Sequence, residues 1–235
     1  ERRYLEDAMQ LLERGGYVRR GGTVLDVGAN LGMISIALLR HGYFERAVAF
    51  EPAPDNLRLL EHNVAQNGLG ERVTRCPIAL SSAPGELELE LSDYNSGDHR
   101  LRHHAQPGAW HEDRRPTVRV PVRRLDDALP ELGPASADVR LVWLDIQGHE
   151  GHFFRGARRT LGGGIPVVSE FWPYGILRSG LSRADYVRVT GELFTHIYEL
   201  GGGAPRKHPV SAIDAMFDQY AAPKAMRELI FVRER

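Results

Sequence analysis

Several things are scarce in this chain of 235 residues, and each scarcity excludes something. Cys76 is the only cysteine, so no intrachain disulfide can form. That fits a reducing compartment, and a cytoplasmic location is expected. No apolar run approaches the roughly 18 residues that a membrane-spanning helix needs. Lys207 and Lys224 are the only lysines, and arginine carries most of the positive charge. Net charge is −1, so no global basic field calls for a nucleic-acid partner. No G-K-[ST] follows a glycine loop, which excludes a nucleoside-triphosphate P-loop. The chain opens at Glu1 with neither a signal-peptide pattern nor an initiator methionine, so one trimmed or cut from a longer protein is expected.

What is present is an alternation of short apolar runs and amphipathic stretches. Residues 4–14 have apolar positions at helical spacing, within an N-terminal helical segment over 1–20. Buried strands are expected over 23–27, 47–50, 72–78, 141–144 and 165–169, with two last strands over 196–200 and 228–232. Helices are expected over 31–40, from Pro54 to about Asn67, over 151–161, and from an N-cap at Ser182 to about Phe194. Strand–helix alternation of this kind marks a parallel sheet with helices on both faces. Residues 86–91 and 117–122 alternate charged and apolar side chains, which predicts a hairpin-like insertion over 85–122. Between them, 92–116 is polar and holds His99, His103, His104 and His111. A stretch of that length is expected to be a mobile lid over the site. No repeat or internal boundary is visible, so one domain over 1–235 is expected.

The strongest local signal is Asp26-Val27-Gly28-Ala29-Asn30-Leu31-Gly32, at the end of the first strand. Glycines at a strand-to-helix turn let a ligand approach the backbone, and the helix beyond offers free N–H groups to an anion. Asn30 stands where a dinucleotide fingerprint has its second glycine, and the spacing to Gly32 differs from that motif. A ligand with a carboxylate and no pyrophosphate suits the loop better. Glu51 ends the second strand at the interval where nucleotide-binding folds place a ribose-binding acid.

These blocks do not stand alone. Ala49-Phe-Glu-Pro-Ala-Pro54, Asn63, Asn67, Ala79-Leu-Ser-Ser82 with Gly85, Leu125-Asp126, Leu144-Asp-Ile-Gln-Gly-His-Glu150, Gly156-Ala157 and Glu170 follow in order. Over residues 20 to 172 the chain resembles the FkbM-type methyltransferases. The resemblance implies a Rossmann-like class I methyltransferase fold with S-adenosylmethionine as methyl donor. It also implies a small-molecule acceptor, usually a hydroxyl on a sugar or a natural product. By position it implies that Asp26 and Gly28 line the methionine end, and Ala29, Asn30 and Gly32 of the same loop are expected to bind the cofactor as well. Glu51 would then hold the ribose, with Pro52, Ile78 and Ala79 around the adenine and Asp145 beside the methyl. One departure is Gln147, where the family usually has an acid.

With that fold, the expectation is a seven-stranded, mostly parallel sheet with an antiparallel last strand. Asp145 and Glu170 both fall at carboxyl ends of core strands, the edge where such sheets bind ligands. Together they could hold Mg²⁺, or one of them could serve as general base. His149 is a further base candidate, and a solvated histidine is the alternative. Glu150 reads equally as a helix-start acid. Phe171, Trp172 and Tyr174 would wall an acceptor pocket or pack the core. Two other functions stay open: a binding module without chemistry, and N-methylation of a small molecule. A nicotinamide dehydrogenase is disfavoured by Asn30 and by the lack of a Tyr-x-x-x-Lys pair.

Overall fold

The computed structural model describes residues 2–103, 108–136, 138–201 and 203–234, so His104 lies outside the described residues. Its strands are β1 (Thr23–Val27), β2 (Arg46–Phe50), β3 (Val73–Cys76), β4 (Ala79–Leu80), β5 (Gly85–Glu90), β6 (Arg100–Leu101), β7 (Thr117–Arg123), β8 (Val139–Leu144), β9 (Val167–Phe171), β10 (His196–Leu200), β11 (Arg206–Pro209) and β12 (Arg227–Val232). Its helices are α1 (Arg2–Arg14), α2 (Met33–Arg40), α3 (Pro54–Gln66), α4 (Leu125–Ala128), α5 (Glu150–Gly156), α6 (Arg158–Leu161), α7 (Pro173–Arg178), α8 (Arg183–Leu193) and α9 (Ile213–Gln219). Among the described residues, no helix is long and apolar enough to cross a membrane.

The main sheet runs β11-β10-β12-β9-β8-β1-β2-β3. β1 pairs in parallel with β2 on one side and β8 on the other, so chain order reverses there. In an open α/β sheet a ligand crevice opens at the carboxyl ends beside such a reversal. Alternate residues of the strands face opposite layers. Leu25, Val48, Val142 and Val167 pack with Phe153, Phe154, Tyr186 and Phe217 from α5, α8 and α9. Val24, Ala47, Leu141 and Val168 pack with Met9, Leu12, Ile36 and Leu60 from α1, α2 and α3. Helices therefore cover both faces, and β12 is antiparallel to both of its neighbours.

The sheet has eight strands rather than seven. The extra one, β11, lies between the two last strands expected over 196–200 and 228–232, where the sequence predicts no further strand. It is held by cross-strand charge, Arg206 to Glu199 at 2.9 Å, which apolar periodicity does not reveal. β3 stops at Cys76 because Pro77 has no N–H to give the ladder. The helix expected over 151–161 breaks in two. A Cβ on Gly156 would stand 2.0 Å from the Ser81 carbonyl oxygen, so the chain passes too close there for a side chain. Asp126 then caps the second piece, accepting from the Arg159 and Thr160 N–H groups, each at 2.8 Å.

The insertion is larger than a hairpin. β5 and β7 pair antiparallel, but they belong to a four-stranded sheet of order β4-β7-β5-β6 with a small core of Ala53, Ala79, Leu89, Val120 and Val122. The polar stretch inside it is organised by charge. Arg100 lies 3.2 Å from Glu112, Arg115 pairs with Asp98, and Tyr174 donates to Glu112 at 2.8 Å. Glu112 is fully buried, and Arg100, Arg178, Tyr174 and the Trp110 N–H together compensate its charge for lost water.

Candidate active site

The loop after β1 is built on alternating left-handed residues: Gly28 at φ +82°, Asn30 at +48° and Gly32 at +79°. Asparagine tolerates that region better than most side chains, so Asn30 can replace a glycine here. Gly28 and Ala29 both donate to the Phe50 carbonyl at 3.0 Å, tying the tips of β1 and β2 together. Asn63 on α3 steadies the same loop, donating from Nδ2 to the Leu31 carbonyl at 2.9 Å.

Glu51 stands at the tip of β2. Its carboxylate accepts from the Asn30 N–H at 2.7 Å and the Ala53 N–H at 2.8 Å. Each oxygen keeps a second lone pair for a ligand hydroxyl. Burial, helped by the charge of Asp26, pushes the Glu51 carboxyl up to about 7. The folded chain thus holds this proton to a higher pH than the unfolded chain. The group costs no stability below about pH 4.5 and weakens the fold as pH rises toward 7. Relative to Glu51→Gln, which cannot titrate, the ligand-free protein is expected to lose up to about 3 kcal/mol between pH 5 and pH 8. Thermal melts of both proteins at the two pH values check this, and identical pH dependence would refute it.

A cleft of about 540 Å³ opens in front of these groups. Gly28, Asn30, Glu51, Pro52, Ile78, Ala79 and Asp145 all line it. Asp26 does not. Its carboxylate is buried and accepts from the Ser35 N–H at 3.0 Å and the Ser35 hydroxyl at 2.6 Å, so it anchors the start of α2. Ala29 and Gly32 are also absent from the lining, and they act by shaping the loop. The insertion supplies what sequence reasoning missed: Leu89, Ser96, Gly97, His99, Arg100 and Leu101 close the same cleft. Asn56 on α3 ties it down, donating to the Ser96 carbonyl at 2.9 Å. Leu89 was findable, as the apolar member of an alternating strand.

A second cleft of about 1000 Å³ shares Gly28, Asn30, Asp145 and Gln147 with the first, and Glu170, Trp110 and Trp172 border it. Gln147, at φ +55°, donates from Nε2 to Asp145 Oδ1 at 2.7 Å and to Glu170 Oε2 at 3.4 Å. Burial and then the neighbouring Asp145 push the Glu170 carboxyl up to about 10, so it carries its proton near neutrality. A neutral amide therefore stands between the two acids where a shared cation would sit. Among the described residues, the groups gathered closely enough to ligate a metal are His103, His149 and His152, and they do not include Asp145 or Glu170. Of the aromatics, Trp172 borders the cleft, Tyr174 serves Glu112, and Phe171 is core.

His149 is 2% exposed, which corrects the solvated reading. It lines the first cleft but not the second, because it faces Ser81 and His103 instead. Burial holds its imidazole well below the usual range, and hence neutral. Glu150 accepts from the Ile146 and Gly148 N–H groups, so it braces the turn after β8 and does not face a ligand.

A mostly parallel, doubly covered sheet with a glycine loop and a strand-end acid at the β1 reversal defines a methyltransferase-like α/β fold. A solved FkbM methyltransferase from Methylobacillus flagellatus KT shares it, at TM-score 0.53 and 16% identity, over 93% of this chain and 46% of that one. Residues 26–199 match the Methyltransferase FkbM domain, more than half of the chain, and the chain belongs to that family. Among curated proteins it is similar to the 2-O-methyltransferase NoeI of Sinorhizobium fredii (strain NBRC 101917 / NGR234), 27% identical over 147 residues, 59% of this chain and 58% of the relative. It is also similar to the ribosomal protein L11 methyltransferase of Geobacter sp. (strain M21), 30% identical over 111 residues, 43% of this chain and 36% of that one. The chain thus spans less than two thirds of the length of either relative.

Proposed function

We propose that the protein transfers a methyl group from S-adenosylmethionine to a hydroxyl oxygen on a small molecule of the sugar or natural-product class. One observation carries this reading: the Glu51 carboxylate and the Asn30 side chain face one cleft, which meets a second, acid-edged cleft at Asp145. Asn30 Oδ1 is buried with no hydrogen-bond partner among the described residues, and a ligand ammonium would satisfy it. Glu51 can accept from two ribose hydroxyls. Ile78, Leu89 and Leu101 offer apolar walls for a purine. The similarity to a 2-O-methyltransferase favours an oxygen acceptor.

S-adenosylmethionine supplies an electrophilic methyl on a sulfonium, and the chain's own groups do the rest. The two clefts hold donor and acceptor side by side, which converts an encounter into positioning. Asp145 takes the hydroxyl proton, Gln147 fixes its carboxylate, and protonated Glu170 serves as a hydrogen-bond donor. With the Gln147 amide between the acids, proton removal by Asp145 is the reading adopted in place of Mg²⁺ activation. The insertion, closing the first cleft, shields the pair from water.

Calorimetry tests the reading. S-adenosylhomocysteine is expected to bind and NAD not to. Glu51→Ala is expected to weaken binding by about 1.5–3 kcal/mol, the range for hydrogen bonds to a charged group. Tight NAD binding with no response to S-adenosylhomocysteine would sink the assignment.

A further inference from the structure

Three histidines meet at the seam between the insertion and the main domain. His103 follows β6, while His149 and His152 occupy the N-terminal turn of α5. Their rings stack at centroid distances of 4.9, 4.7 and 4.4 Å. One nitrogen from each lies within 4.8 Å of the others. His103 Nε2 and His149 Nδ1 are 3.2 Å apart. Two ligands of a tetrahedral ion with metal–nitrogen bonds of about 2.0–2.1 Å are separated by about 3.3 Å.

The outward nitrogens of His149 and His152 are already engaged. His152 Nε2 lies 3.0 Å from the Ser179 carbonyl oxygen, which can only accept, so this nitrogen carries the proton. Its Nδ1 is then a bare lone pair in the neutral ring. His149 Nε2 lies 2.8 Å from the Ser81 hydroxyl, which leaves its Nδ1 for the cluster. Metal-bound histidines commonly have their second nitrogen fixed by an oxygen in this manner. Burial keeps the imidazoles of His149 and His152 neutral, the form that ligates. A small hollow beside His103 and His149 has space for about one water as a further ligand. Three arginines edge that hollow, but Arg100 and Arg178 pair with Glu112 and Arg102 pairs with Glu90, so they do not present bare positive charge.

We propose that His103, His149 and His152 bind a borderline divalent metal ion of the Zn²⁺ type, pinning the insertion to the start of α5. A tautomer change in the His103–His149 pair frees both lone pairs. Rotation of the partly exposed His152 ring closes the remaining gap. The site is separate from the methyl-transfer reading, since it requires neither S-adenosylmethionine nor an acceptor.

Direct metal binding decides the matter. The whole chain, freed of metal, is titrated with Zn²⁺ against a chromophoric chelator, and Co²⁺ is added in parallel to read a ligand-field spectrum. One Zn²⁺ per chain is expected for the parent and for His62→Gln, a surface control. His103→Gln and His152→Gln are expected to lower affinity at least about 100-fold, and Ser81→Ala about 10- to 100-fold. Circular dichroism verifies that each variant is folded, and both substituted histidines lie partly at the surface. No binding at micromolar Zn²⁺, or parent-like binding by both His103→Gln and His152→Gln, overturns the proposal.

Discussion

Asp145→Asn is expected to lower turnover by about 100- to 10,000-fold, the usual worth of a positioned acid or base. The affinity for S-adenosylhomocysteine should stay close to that of the parent. Asparagine matches aspartate in shape, so it can still meet the Gln147 amide through its own oxygen. What it lacks is a site for the acceptor's proton. The neighbouring Glu170 gives the substitution a second readout. Its carboxyl is raised by burial and then by the charge of Asp145. Removing that charge lowers it, so residual activity of the variant should climb with pH as Glu170 becomes the available base. Single-turnover rates across pH 6 to 10, with binding measured separately, test both points. An unchanged rate would remove Asp145 from proton transfer.

Gly28→Ala is expected to be strongly damaging for a single added methyl. A Cβ there would lie 1.8 Å from the Asp145 carbonyl oxygen and 3.0 Å from a methyl of Ile146. The residue also sits at φ +82°, where an L side chain costs about 1–2 kcal/mol. Overpacking adds about 1–3 kcal/mol. A loss of about 2–5 kcal/mol in chemical denaturation is the expected result. Binding of S-adenosylhomocysteine should weaken with it, because relief requires the tips of β1 and β8 to part. Gly42→Ala is the control. It shares a positive φ, at +68°, but has open space around its Cβ position, so backbone strain alone remains. Equal losses in the two variants would show that crowding at Gly28 contributes nothing.

Much of this site was legible in the chain because its chemistry is local. The G-A-N-L-G loop, Glu51 and Asp145 each end an apolar strand, and a parallel sheet brings strand ends to one edge. Asp26 misled for the same reason. It ends on the same strand, yet pleating turns its side chain toward Ser35, away from the cleft. The sequence shows which residues are near the edge and not which way each one points. Contacts between distant segments were harder. Nothing in the polarity of 92–116 announces that Ser96 and Gly97 would cover a cleft, or that Arg100 and Glu112 would pair. The histidine cluster left one trace, the i, i+3 spacing of His149 and His152, but its third member, His103, comes from the loop after β6, far away in the chain.

The eighth strand has a bearing on how copies of the protein meet. An open sheet ends in unpaired backbone groups, and a flat apolar border invites a second sheet to continue the first. β11 makes a poor border for that purpose. It is four residues long, reads Arg206-Lys207-His208-Pro209, and ends in a residue with no N–H. Arg206 and Lys207 are exposed and reach back to Glu199 and Glu234, so they stay in place as charged bumpers. Self-association by sheet extension is therefore guarded against at this margin, and the strand that apolar patterning overlooked acts as protection against aggregation.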